Sequence, residues 1–267
     1  MKNLEEGIYT GSILKKVTTE HFVISISTQA EQNIKIGMHS HRNPHFCFIF
    51  SGRDKEKREG LSECERIPGS LHFYRADEPH MTTKLSKRIK NINIELRGDR
   101  NFQAVSEKKI RHMEKNPHLY FPIFMNVFSE LRSNDDLTVE AIDLKCLELI
   151  TSNEVSRTRR SPDWASKLMK ILERDWHQTT SLHDISRELN IHPVTVSREF
   201  KYYFGCNYSE YVRRIRILNS LKWLSNSSLS LTEITYKVGF YDQSHFIRNF
   251  KKYVGFLPKE FRYYSEC

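Results

Sequence analysis

Two constellations in this 267-residue chain have residue types and spacings that could do chemistry. The first is a pair of polar, partly basic faces near the C-terminus. Val194, Thr195, Ser197, Arg198 and Lys201 make one, and Gln243, Ser244, His245, Arg248, Asn249 and Lys252 make the other. Arg pairs with guanine O6 and N7, Gln or Asn pairs with adenine, and Ser or Lys holds phosphate. The second is His39-Ser40-His41. Two histidines at i and i+2 on a strand point to one face. Their imidazoles could converge on zinc, copper, nickel or ferrous iron. The competing assignment is polar lining of a pocket or its rim.

The basic faces need elements to carry them, and the sequence supplies the same pattern twice. One copy reads Ser181, Leu182, Asp184, Ile185, Leu189, Ile191, Val196, Phe200, Gly205. The other reads Ser230, Leu231, Glu233, Ile234, Val238, Phe240, Phe246, Phe250, Gly255. The offset grows from 49 to 50 residues, so one residue is inserted in the turn. Such a repeat fixes architecture before anything else is read. Each copy opens with a capping box, Ser181 with Asp184 and Ser230 with Glu233. Apolar residues then recur at helical spacing. Asn190 and Gly239 sit in the turns, and both types tolerate a left-handed backbone. Each copy is therefore a predicted helix-turn-helix with a buried face and a readable one.

A single helix over about 208–225 joins the copies, capped by Asn207 with Glu210 three residues on. At about 1.5 Å per residue it spans about 27 Å. One turn of B-DNA is about 34 Å, so the two outer faces could enter successive major grooves. Arg213, Arg214 and Arg216 cluster near its start, either as phosphate contacts or as a solvated face.

From about Ser161 to Tyr264 the chain resembles the AraC/XylS family of bacterial transcription regulators. The matching residues include Arg198-Glu199-Phe200-Lys201, Gly205, Tyr211, Arg216, Val238-Gly239-Phe240, Asp242-Gln243-Ser244, Phe250-Lys251, Gly255, Pro258 and Arg262. The resemblance implies promoter binding by two recognition helices, activation through RNA polymerase, and contacts from Ser197, Arg198, Lys201, Gln243, Ser244, Arg248 and Lys251. Two departures stand out. His192 and Tyr241 occupy the expected N-cap positions of the recognition helices, where the family usually has Ser.

The length allows two domains. The formal net charge is +9, with pI about 9.2, as suits a polyanionic partner. That charge is shared almost evenly, +5 from residue 161 onward and +4 before it, so placement carries more than the total. Five scattered cysteines without a Cys-x-x-Cys fit reduced thiols rather than a disulfide framework. No leader and no apolar run of membrane-spanning length is present, and a cytoplasmic location is expected.

The first 98 residues read as short strands separated by Gly, Pro, Asp and Asn, with runs at 22–26, 46–50, 71–74 and 92–96. Gly37-Met38-His39-Ser40-His41, His45 and Gly52, then Pro68-Gly69 and Pro79-His80, resemble the two motifs of the cupin barrel. The resemblance implies a sensor domain. It also implies metal ligation by a His-x-His, a Glu and a distant His. The Glu position holds His45 here, leaving His39, His41, His45 and His80 as a candidate divalent-metal set, with no cofactor required. The alternative is a small-molecule pocket lined by these histidines with Phe48 and Phe73. Phe46, Phe48, Phe50, Phe73 and Tyr74 are either cavity lining or plain core. Two amphipathic helices follow, from Pro117 and from about Val139, broken at Asn134-Asp135-Asp136. They either mediate the homodimer that the resemblance implies or pack on the barrel.

The expected fold class is α+β multidomain: a cupin-like β-barrel (1–98), a helical segment (99–152), a linker (153–161) and an all-α double helix-turn-helix domain (162–267). The expected function is a DNA-binding transcription activator controlled by a small ligand in the barrel, without membrane association and without enzymatic activity. The competitors are a metal-binding cupin enzyme or metal sensor with a DNA-binding appendage, and an architectural DNA-binding protein.

Overall fold

The computed structural model describes residues 1–29, 35–98, 105–132, 138–151, 162–178 and 181–266. The expected helix break at 134–136 and the expected linker lie outside the described residues.

Ten strands form two five-stranded sheets. In order the first sheet holds β1 (Lys2–Leu4), β4 (Lys35–His41), β9 (His80–Lys84), β6 (Asp54–Arg58) and β7 (Cys64–Arg66). The second holds β2 (Ser12–Thr18), β3 (Phe22–Gln29), β10 (Ile89–Leu96), β5 (His45–Ser51) and β8 (Leu71–Tyr74). The expected closed barrel is thus two open sheets facing each other.

The second sheet is covered on both faces, which explains why β3, β5 and β10 are buried at every position. Successive side chains point to opposite faces. Phe22, Ile24, Ile26, Phe46, Phe48, Phe50, Ile92, Ile94 and Leu96 join one apolar cluster with the helices that follow. Ser27, His45, Cys47, Asn91 and Asn93 face inward, toward the first sheet. The layer between the sheets is polar and the layer behind the second sheet is apolar. A continuous apolar run cannot reveal this arrangement, because both faces are covered.

Among the described residues the chain then forms α1 (Glu107–Lys115), α2 (Pro117–Arg132) and α3 (Thr138–Thr151). The helix α1 was not among the sequence-based expectations. Ser106 caps it by accepting from the Lys109 N–H. Phe124 and Phe128 of α2 stack on Phe48 and Phe50 at centroid distances of 5.2 and 4.4 Å, contacts of about 1 kcal/mol each beyond burial. α3 lies on α2 and leaves Leu144 67% exposed.

The C-terminal region holds α4 (Asp163–Asp175), α5 (Leu182–Glu188), α6 (Pro193–Phe204), α7 (Tyr208–Asn226), α8 (Leu231–Lys237), α9 (Gln243–Val254) and α10 (Pro258–Glu266). α5–α6 and α8–α9 are the two expected helix-turn-helix units. This region is not strung loosely behind the sheets. Phe261 of α10 packs on Phe50 at 4.6 Å, and Gly69 approaches α7 so closely that a Cβ there would sit 2.9 Å from Leu218 Cδ1. Arg88 and Lys90 donate to the carbonyls of Glu266 and Tyr264.

Candidate nucleic-acid interface

Local chemistry builds both helix-turn-helix units as expected. Ser181 Oγ accepts from the Asp184 N–H and Ser230 Oγ from the Glu233 N–H, and both acidic side chains return to the cap backbone. Asn190 and Gly239 take φ of 53° and 84° in the turns. Gly205 and Gly255 close α6 and α9 in the left-handed region. Val196, Phe200, Phe246 and Phe250 are fully buried.

The opposite faces are open. Val194, Ser197, Arg198 and Lys201 on α6 are exposed, and Thr195 is half-buried. On α9, Gln243, Ser244, Arg248, Lys251 and Lys252 are exposed, while His245 and Asn249 are half-buried. The His245 ring leans on Phe240 at 5.2 Å, which turns part of it into the turn. Where α2 meets α9, it meets the inner side: Phe121 approaches Tyr253 at 6.4 Å. Among the described residues both polar faces are therefore open.

The caps correct one expectation. His192 does cap α6, its Nδ1 accepting from the Val194 N–H at 3.3 Å. Tyr241 does not cap α9. Asp242 does, accepting from the His245 N–H at 2.7 Å, and Tyr241 is 71% exposed beside the helix start. The inserted turn residue shifts the helix start by one position.

The joining helix α7 has 19 residues, about 28 Å. Its arginines are not a free cationic patch. Arg216 donates to the carbonyls of Trp176, Gly239 and Gln178 at 3.0, 2.7 and 2.7 Å. It thereby ties the end of α4 to the turn of the second unit. Arg214 pairs with Glu210 at 2.7 Å. Arg213 is half-buried. Of the two readings of this cluster, the phosphate contact fails for Arg214 and Arg216, because Nη1 and Nη2 of both donate to protein acceptors.

The histidines meet between the two sheets. His39, His41 and His80 bring one ring nitrogen each within 4.8 Å of one another, and all three are buried. His45 stands beside them, 4.4 Å from His41 between centroids, yet falls outside that group. Three of the four expected imidazoles thus bring ring nitrogens together, and His45 lines the same space beside them. His39 Nδ1 lies 2.9 Å from the Gly37 carbonyl and His80 Nδ1 lies 3.1 Å from the Glu78 carbonyl. Nδ1–H donation there leaves Nε2 as the lone-pair nitrogen. Burial lowers all four imidazoles, His41 to about 3 and His80 to about 4, so they are neutral at pH 7. The space they line, with Tyr9, Arg66 and Tyr74, holds about 30 Å³, room for a water or an ion. Phe48 and Phe73, expected in a ligand cavity with these histidines, are not there. Both lie in the apolar cluster behind the second sheet.

Sequence reading missed the ionic network beside the histidines. Arg66 makes a bidentate contact to Asp54 at 2.7 and 2.5 Å, and Tyr74 donates to Glu56 at 2.5 Å. Burial alone would raise the Glu56 carboxyl. Arg66 and Arg58 outweigh it and hold that group at about 2. The only sequence signal was charge alternating along β6, which looks like a solvated strand.

Comparison with known proteins finds a helix-turn-helix domain in the same C-terminal region. A family model described as a helix-turn-helix domain matches residues 185–263. The HTH-type transcriptional regulator YtdP of Bacillus subtilis is 26% identical over 210 residues, 78% of this chain and 25% of that protein. The Msm operon regulatory protein of Streptococcus mutans is 29% identical over 99 residues, 37% of this chain and 36% of that protein. The solved C-terminal domain of the two-component response regulator yesN from Fusobacterium nucleatum is 31% identical, covering 37% of this chain and 97% of that one, with a TM-score of 0.35. The chain thus spans about a quarter to a third of the curated relatives it matches.

Proposed function

We propose, for a chain that belongs to the AraC-type helix-turn-helix regulators through residues 185–263, that it binds promoter DNA with α6 and α9 in successive major grooves and regulates transcription. One observation carries this reading. Two equivalent units expose polar recognition faces while α7 and Arg216 fix their separation. Arg198 and Arg248 read base edges, and Lys201, Lys251 and Lys252 hold phosphate. Activation through contact with RNA polymerase, a homodimer formed through the sensor region, and a cytoplasmic location belong to the same proposal. Among the described residues no helix is long and apolar enough to cross a membrane. The role is recognition rather than catalysis.

Selection of bound sequences from a random DNA pool tests the reading. A bipartite consensus with elements about 10 base pairs apart is expected. Occupancy without sequence preference would overturn it and favour an architectural role.

The histidine cluster supports a second reading, that the N-terminal region responds to a divalent transition metal. His39, His41 and His80 would hold it through neutral imidazoles, a donor set that suits zinc, copper, nickel or ferrous iron. The Nδ1 of buried His41 has no hydrogen-bond partner, as an open ligand position requires. Elemental analysis of protein purified without chelator is expected to find about one equivalent of metal, lost in His41→Ala. Metal-free protein that takes up none on titration sinks this reading.

A further inference from the structure

The two helix-turn-helix units are not held alike. The second shares one continuous apolar cluster with the sheets and α2: Phe50, Phe124 and Phe128 belong to the same core as Phe240, Phe250 and Phe261. The first has its own cluster, built on Leu168, Leu172, Ile185, Phe200 and Tyr211. A cavity of about 320 Å³ lies at the seam between them. The turn at Pro68 and the start of α2 wall it on the sensor side. Met169, Leu172, Trp176 and Leu218 wall it on the other.

The cavity has the size and mainly apolar lining of a small-molecule site. It also has one unanswered polar group. His118 lines it, is 6% exposed, and its Nε2 has no hydrogen-bond partner. Buried polar groups are nearly always paired, so an orphan of this kind asks for an acceptor or donor from outside the chain. Burial, with Arg214 nearby, pushes the His118 ring down to about 3, so it is uncharged. Lys115 and Glu173 also line the cavity, both on exposed positions, and their opposite charges give no preference for an ionic ligand.

We propose that this seam binds a neutral, largely apolar small molecule of one or two rings whose single hydroxyl or amide pairs with His118 Nε2. Its occupation tightens the hold of the sensor side on the first helix-turn-helix unit, which otherwise meets α2 through Leu119 and the contact of Tyr211 with His118. A ligand can do this only by binding the fastened arrangement more tightly than the loose one. The fastening of a DNA reader rests on the function proposed above; the binding site does not.

Calorimetry on the full chain separates the two, with 4-propylphenol as probe and propylbenzene as its hydroxyl-free counterpart. The wild type is expected to bind 4-propylphenol saturably and at least tenfold tighter than propylbenzene. His118→Leu is expected to reduce that preference to below twofold. Met169→Trp, which fills the cavity from α4, is expected to abolish both, with folding checked by circular dichroism. No saturable binding to the wild type, or unchanged binding to Met169→Trp, overturns the site. Saturating 4-propylphenol is then expected to change affinity for a bipartite DNA site at least threefold. It is expected to leave a fragment carrying only the second unit's element unaffected. Probe binding with unchanged bipartite affinity overturns the fastening. Absence of any sequence-specific DNA binding overturns the earlier functional reading, and calorimetry alone still decides the site.

Discussion

Arg216 Nη1 donates to the carbonyl of Gly239 at 2.7 Å, and that glycine is the turn of the second helix-turn-helix unit. The same guanidinium holds the carbonyls of Trp176 and Gln178, just before the first unit. Gly239 has φ +84°, and a Cβ there would lie 2.3 Å from the His177 carbonyl oxygen. One planar fork and one missing side chain together set how the two units sit. Lys cannot replace the fork, since a point charge does not reach three acceptors in fixed directions.

Removing the fork has a direct energetic consequence. Arg216→Met is expected to cost about 2 kcal/mol, because partly buried carbonyls lose their donors. Gly239→Ala is expected to cost at least as much through left-handed strain and backbone overlap. Urea denaturation measures both. A loss below about 0.5 kcal/mol for either, the range of an ordinary surface substitution, refutes the clamp.

The recognition faces predict two different losses on DNA. Arg248→Ala is expected to lower discrimination between a selected site and one altered in the second unit's element, by about 1–3 kcal/mol. Lys251→Ala is expected to weaken all sequences alike and flatten the salt dependence by about one unit of slope. Binding titrations at several salt concentrations read both. Uniform loss in both variants sinks the base-reading role of Arg248.

The start of α9 gives a test of the cap. Asp242→Ala is expected to cost about 1 kcal/mol, the usual loss of an N-cap acceptor. Tyr241→Ala, exposed and uncommitted to the cap, is expected to stay within about 0.5 kcal/mol by thermal unfolding. The reverse order of effects would return the cap to Tyr241.

His118 predicts a pH dependence. Its folded value is about 3, against an unfolded reference of 6.5. Above 6.5 both states are neutral and stability is full. As pH falls below 6.5 the unfolded chain takes a proton that the folded one refuses, so stability declines toward pH 3. Between pH 7 and 5 the wild type is expected to lose about 1–2 kcal/mol more than His118→Leu. Equal slopes in denaturant titrations at the two pH values exclude this.

Legibility in the sequence follows the range of the interactions. The helix-turn-helix pairs, their capping boxes and their left-handed turn residues are all written within five residues of where they act, so spacing alone places them. The paired histidines of β4 are likewise local, since strand alternation puts them on one face. Phe48 and Phe73 mislead because a strand covered on both sides carries no mark of which face meets which layer. Arg214 and Arg216 look identical to surface cations, and only packing shows whether their donors meet solvent or carbonyls. α1 escapes because it has few apolar residues, Ile110 and Met113 chief among those it buries.

The sequence by itself determined two helix-turn-helix units on one rod, because each depends on contacts between near neighbours. Tertiary structure decided everything that joins distant segments: the polar layer between sheets, the meeting of His80 with the histidines of β4, and the unequal attachment of the two units. Those depend on which faces come together across a hundred residues or more, and no local pattern encodes that choice.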